Sequence, residues 1–114
     1  MKLPNADRAR VEDAKVRDYL LAPDHRIGRS KARFFGALGF ARADWPTLQE
    51  ALFALAQAGD AEPGENSIFG QKYVVRGIVR GPSGRAAAVV TVWILLRSDD
   101  APRFVTAYPG GPPR

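Results

Sequence analysis

Hydrophobic positions along this chain change period once, from helical spacing in the first half to alternation in the second. Val16, Tyr19 and Leu20 recur at i, i+3 and i+4, which predicts a helix over about 13–21 with Asp13 as N-cap. Ala22-Pro23 stops it, because the residue before a proline avoids helical geometry. After the basic connection Asp24-His25-Arg26-Ile27-Gly28, a second helix is predicted over about 29–38. Ala32, Phe35 and Leu38 share one side of it, and Gly39 is the stop. Asp44 reads as the cap of a third helix, with Pro46 in the first turn, where a missing N–H costs nothing. Its stripe is the clearest: Leu48, Ala51, Leu52, Leu55 and Ala56.

Residues 58–69 (AGDAEPGENSIF) cluster Gly, Pro, Asp, Glu and Asn and read as a loop. Strands are then predicted over 71–80, 85–97 and 103–108, separated by turns at 81–84 and 98–102. A tight turn pairing Arg80 with Arg85 sets Lys72 opposite Trp93, Val74 opposite Thr91 and Arg76 opposite Val89. Lys72, Arg76, Thr91 and Trp93 would then share a polar face. Tyr73, Val75, Val79, Val90, Val92 and Ile94 would form an apolar face against the helices. Pairing Thr106 with Trp93, rather than with Ile94, would add Thr106 and Tyr108 to the polar face. The expected fold is α+β: three N-terminal helices packed on one face of a C-terminal three-stranded antiparallel meander. It forms one domain over 1–114, with the Pro/Gly-rich stretch 109–114 as a flexible tail.

Composition narrows the function. With no cysteine there is no disulfide framework, no thiolate nucleophile and no cysteine-based zinc site. No apolar run approaches the roughly 18 residues of a membrane span, and the start MKLPNADRAR lacks the apolar region of a secretory signal. The expectation is therefore no membrane partner and a cytoplasmic location. The net charge of +5 is laid out in blocks: residues 1–42 carry +5, residues 43–70 carry −5 with no Lys or Arg, and residues 71–114 carry +5. Thirteen of the seventeen basic residues are arginine, the side chain suited to bidentate phosphate contacts. A basic surface broken by one acidic stretch is compatible with a nucleic-acid partner.

Absent motifs prune further. No glycine-rich phosphate loop, no G-x-S-x-G elbow and no histidine set for zinc is present, and the acids cluster away from the predicted sheet face. What remains is His25, Arg29, Lys31, Lys72, Arg76, Thr91, Trp93, Thr106 and Tyr108. RNA cleavage through the 2′-hydroxyl needs a base for that hydroxyl, an acid for the leaving 5′-oxygen and cations for the phosphorane. It needs no metal or other cofactor. In that scheme His25 is the acid/base residue, Lys31, Lys72 and Arg76 hold the phosphate, and Thr91, Thr106 and Tyr108 position it. Arg29 and Trp93 bind the RNA, with Trp93 or Tyr108 stacking on a splayed base.

The segments His25-Arg26-Ile27-Gly28-Arg29-Ser30-Lys31-Ala32-Arg33-Phe34-Phe35, Gly70-Gln71-Lys72-Tyr73-Val74-Val75-Arg76-Gly77, Val90-Thr91-Val92-Trp93 and Thr106-Ala107-Tyr108-Pro109 together resemble a bacterial domain-of-unknown-function family. The resemblance covers nearly the whole chain. It implies a toxin-like gene context, either stand-alone beside a small partner gene or as the last domain of large secreted proteins. It thus implies an acidic antitoxin or immunity protein as partner and, in the second context, delivery into a target cell's cytoplasm. The layout also resembles, more distantly, the barnase/EndoU/colicin/RelE group of metal-independent ribonucleases. Many of that group use two histidines or a histidine with a glutamate; here His25 stands alone. The function expected is a toxin-like endoribonuclease. The alternatives are a non-catalytic nucleic-acid-binding module and a protein-interaction domain.

Overall fold

Three helices come first and the strands follow, with one strand more than the sequence pattern predicts. The structure is a computed structural model and describes residues 1–110. A 3-10 turn at Ala6–Arg8 precedes α1 (Asp13–Lys15), which runs directly into a π-helical turn at Val16–Leu20. Next come α2 (Arg29–Ala37), a second 3-10 turn at Arg42–Asp44, and α3 (Trp45–Ala58). Asp44 stands at the N-cap position of α3, as expected, but its side chain makes no bond to that helix: Oδ2 accepts the Ala41 N–H of the preceding turn at 2.8 Å. The strands β1 (Ala61–Asn66), β2 (Gly70–Arg80), β3 (Ala86–Leu96) and β4 (Arg103–Pro109) form one antiparallel sheet in sequence order.

The sheet therefore has four strands, not the three-stranded meander expected. The added strand lies inside the segment read as a loop. AEPGEN lacks apolar alternation because β1 is an edge strand: only Ala61 is buried, and Glu62 to Asn66 are exposed. Ala61 pairs with Val75, Glu62 with Val74 and Pro63 with Tyr73, and a bulge then shifts the register. Proline and charge on an edge strand block pairing with further chains without disturbing the inner ladder.

The β2–β3 register is also one residue away from the expected one. Arg80 pairs with Ala86, which lengthens the turn to Gly81–Arg85, closed by Gly81 N–H donating to the Arg85 carbonyl at 2.8 Å. The turn is held from outside. The Ser83 N–H and Oγ both donate to the Leu38 carbonyl at the end of α2, at 3.1 and 2.8 Å, and Gly84 takes φ +88°. A turn docked on a helix end need not be the tightest one its sequence allows.

A slip of one residue swaps faces. Tyr73 now pairs with Trp93, and Val75 with Thr91, so Thr91 and Trp93 turn inward with Val75, Val79 and Val89. Lys72 and Arg76 remain outside, now across from Ile94 and Val90. On β4 neither anticipated register holds: Thr106 pairs with Val92, and a bulge then places Phe104 opposite Trp93. Pro109, expected in the tail, closes β4 opposite Val89, and the Gly110 N–H donates to the Ala88 carbonyl at 2.8 Å. The rest of the expected tail, 111–114, lies outside the described residues.

The core sits between the helices and the inner sheet face. Leu48, Leu52, Leu55 and Ala56 of α3 are buried there with Val16, Leu20, Phe35, Val75 and Trp93. Full burial of one such aliphatic or aromatic side chain contributes about 1.5–3 kcal/mol. Helix α3 lies close on β2 because residue 77 is glycine; a Cβ there would stand 2.7 Å from Leu55 Cγ. One polar relay crosses this core. Trp93 Nε1–H donates to Thr91 Oγ1 at 2.8 Å, and Thr91 Oγ1 donates to the Val75 carbonyl at 2.7 Å. Among the described residues, no buried side-chain nitrogen or oxygen lacks a partner.

Candidate functional site

Helical spacing assigns Tyr19 to the same apolar stripe as Val16 and Leu20, and in the π turn it packs against the core from its margin. The Leu21 N–H reaches back five residues to the Val16 carbonyl, at 3.0 Å. Val16 and Leu20 are fully buried, while Tyr19 is only partly so. Its hydroxyl lies 3.0 Å from Thr106 Oγ1 on β4. Single π turns within helices occur frequently at functional sites.

The connection after this turn folds back on the same tyrosine. His25 Nδ1 accepts the N–H groups of Ile27 and Gly28, at 3.1 and 2.9 Å. In the neutral ring the proton therefore sits on Nε2. The imidazole stands edge-on to the Tyr19 ring, with centroids 5.2 Å apart and planes at 71°. Gly28 makes this seating possible, since a Cβ there would come within 2.1 Å of the Tyr19 carbonyl oxygen.

A lysine from α2 completes the arrangement. Lys31 Nζ donates to the Ala107 carbonyl at 3.0 Å and lies 5.6 Å from the Tyr108 ring centroid and 6.0 Å from that of Tyr19. A cation in the first turn of a helix opposes the helix dipole; the strand carbonyl and the two rings offset that. Lys15 Nζ is 5.6 Å from the Tyr19 ring centroid. Glu12, Lys15, Asp18, Tyr19, His25 and Thr106 line a hollow of about 600 Å³.

Asp18 lines this hollow and is held as a carboxylate. Hydrogen bonds from Arg17 and then from Arg42, with their charges, lower its pKa from 3.8 to about 2. Arg17 bonds both oxygens, at 3.0 and 2.8 Å, and Arg42 reaches Oδ1 at 2.9 Å.

The structure thus brings His25, Lys31, Thr106 and Tyr108 together and adds Tyr19 and Lys15. The other expected residues lie elsewhere. Lys72 pairs with Glu65 at 3.4 Å, and Arg76 with Glu62 at 3.3 Å, so β1 supplies an acid to each of these two cations. Thr91 and Trp93 have no exposed surface. Arg29 is exposed beside a different hollow. Tyr19 escaped the sequence analysis because it fitted a core stripe. The available signal was its hydroxyl, which needs a partner wherever the ring is packed. Among the described residues, no group of three or more His, Cys, Asp or Glu is disposed to hold a metal ion. No helix among them is long and apolar enough to cross a membrane.

The sequence profile of a family described as "Domain of unknown function (DUF6883)" matches residues 2–111. No curated protein matches the chain in sequence. Among solved structures, the chain resembles one from a structure described as a contact-dependent growth inhibition toxin–immunity protein complex from Klebsiella pneumoniae 342. The TM-score is 0.71 at 17% identity, over 94% of this chain and 97% of the other. At that identity the likeness is one of fold.

Proposed function

The chain belongs to the DUF6883 family, and on that premise we propose that it is a toxin-like endoribonuclease domain, independent of metal, that cuts RNA through the 2′-hydroxyl. The observation that carries this is the convergence of Tyr19, His25, Lys31 and Thr106 on β4. They come from separate stretches of sequence: Tyr19, Thr106 and His25 supply hydroxyl and imidazole groups to the hollow, and the Lys31 ammonium lies 6.0 Å from the centroid of the Tyr19 ring. The neighbouring fold occurs in a toxin–immunity complex. The sign of the charge favours the toxin side of such a pair. A chain of net charge +5 is suited to attack a polyanion, whereas a protein that plugs a nucleic-acid site needs acidic groups.

In the proposed step the 2′-oxygen attacks the adjacent phosphorus and the 5′-oxygen leaves. The products are a 2′,3′-cyclic phosphate and a 5′-hydroxyl. One proton leaves the 2′-hydroxyl and one reaches the 5′-oxygen. Tyr19 gives its proton to the 5′-oxygen and recovers one from the 2′-hydroxyl, with Thr106 Oγ1 on the relay. His25, with Nδ1 held by two backbone N–H groups, presents Nε2–H to the phosphorane. Lys31 adds positive charge at the same place, and Tyr108, 40% exposed, offers a stacking face to a base. In a cell the partner is an acidic antitoxin or immunity protein that covers this hollow.

The test is incubation of the purified chain with several RNA types in EDTA, beside His25→Ala. Cleavage by the native chain, reduced about 10²-fold or more in the variant, is expected for loss of a donor to the transition state. Equal cleavage by both, or intact RNA at micromolar protein, contradicts the proposal. A non-catalytic nucleic-acid module would show salt-sensitive RNA binding without products.

A further inference from the structure

The loop 22–28 is a ridge with a hollow on each flank. His25 and Ile27 line the hollow described above; Pro23 and Arg29 line a second one of about 330 Å³. The second hollow has an apolar floor of Leu21, Ala32 and Phe40 and a rim of Arg29, Arg33 and Arg42. No acidic residue lines it.

Its three guanidinium groups differ in freedom. Arg42 is anchored, donating through Nε to the Arg17 carbonyl at 3.1 Å and to Asp18 Oδ1 at 2.9 Å. Asp18 itself lines the first hollow, so one carboxylate ties the two together. Arg29 and Arg33, one turn apart on α2, are exposed, and among the described residues neither guanidinium has a hydrogen-bond or ion-pair partner. Ile27, 68% exposed, adds an apolar contact on the ridge between them.

We infer that the second hollow is a nucleotide subsite. It takes a base or sugar of single-stranded RNA on its floor and the neighbouring phosphate on Arg29 and Arg33, with the strand crossing the ridge into the first hollow. This rests on the proposed RNA substrate but adds a binding site separate from the chemistry. Flat bases stack on guanidinium planes and apolar floors, and free arginines hold phosphate oxygens. The volume lies at the low end of small-ligand pockets, about 300–1,000 Å³, which suits one nucleotide unit.

Fluorescence anisotropy with a labelled 2′-O-methyl oligonucleotide tests this, because that strand cannot be cut through its 2′-oxygen and every active-site residue is retained. Arg29→Glu with Arg33→Glu is expected to weaken binding at least tenfold. It should also flatten the dependence of log affinity on log salt by about 0.7, the value for one neutralised phosphate of a single strand. Arg80→Glu with Arg85→Glu, at the end of β2 and in the turn that follows it, makes the same change in net charge and is expected to weaken binding far less. Thermal melts of both variants confirm that they fold.

Equal weakening by the two pairs would overturn the subsite and leave only diffuse attraction. So would unchanged affinity in the α2 pair, or no RNA binding by the native chain at low salt. Capture of a polyglutamate peptide but not RNA through Arg29 and Arg33 would assign the hollow to an acidic protein instead. Binding is read without cleavage, so a failure of the ribonuclease proposal is separable from a failure of this one.

Discussion

The Tyr19 hydroxyl and Thr106 Oγ1, 87 residues apart in sequence, meet at 3.0 Å. The contact joins the π turn to β4, and every other side chain of the proposed site is arranged around it. Tyr19→Phe keeps the ring, and with it the packing against His25, but removes the proton carrier. Cleavage is expected to fall about 10²–10⁴-fold, while stability falls by about 1 kcal/mol for one lost hydrogen bond. Rate and denaturant midpoint, measured on the same preparation, check this. A parallel loss of both would make Tyr19 structural only.

Gly28→Ala tests the seat of the histidine. The added Cβ meets the Tyr19 carbonyl at 2.1 Å, too close for any real contact, so the loop 22–28 must move. Overpacking of this kind costs about 1–3 kcal/mol. Cleavage is expected to suffer beyond the loss of folded protein, because His25 is displaced from Tyr19. Gly36→Ala is the control, since nothing lies within 4 Å of a Cβ at that position. Equal behaviour of the two variants would count against the strain argument.

The division between site and core gives opposite expectations for residues that the sequence pattern grouped together. Thr91→Val leaves the Trp93 Nε1–H buried without an acceptor, and is expected to cost about 1–3 kcal/mol in a denaturant titration. Its folded fraction should cleave at the native rate. Lys72→Gln with Arg76→Gln should leave both stability and cleavage close to native, since the changes break only exposed pairs worth about 0–1 kcal/mol each. A large loss of cleavage in the double variant would return the catalytic surface to the outer sheet face.

The carboxylate of Asp18 makes a prediction in acid. Its folded pKa is lowered, to about 2 from 3.8, by the Arg17 and Arg42 hydrogen bonds. Its contribution to stability is therefore complete above 3.8 and lost as the pH falls through about 2. Asp18→Asn should lower the melting temperature by a constant amount above that window, and the gap to the native chain should close within it. A gap that persists at pH 2 would mean that the clamp does not act through charge.

What was legible in the sequence follows from how local each determinant is. The stripe Leu48–Leu52–Leu55 declares α3 because burial and helical period coincide there. β1 was hidden because an edge strand with one buried residue carries no period. The β2–β3 register depended on Ser83 reaching the end of α2, a contact between residues 45 positions apart. That one-residue difference took Trp93 and Thr91 out of the candidate surface. His25 and Lys31 are candidates by residue type, and Thr106 and Tyr108 through a β4 register that the structure replaces, whereas Tyr19 is not singled out at all. A π turn leaves the same letters in the sequence as an α turn.

The most direct test of the central claim is the chemistry of the cut ends. RNA treated with the native chain in EDTA should carry 2′,3′-cyclic phosphate or its 3′-phosphate hydrolysis product, opposite a 5′-hydroxyl. The same RNA with 2′-O-methyl groups should stay intact, and Tyr19→Phe should leave the unmodified RNA largely uncut. Cleavage of the 2′-O-methyl strand, or ends bearing a 5′-phosphate, would contradict attack by the 2′-oxygen and with it the roles assigned to Tyr19, His25 and Lys31.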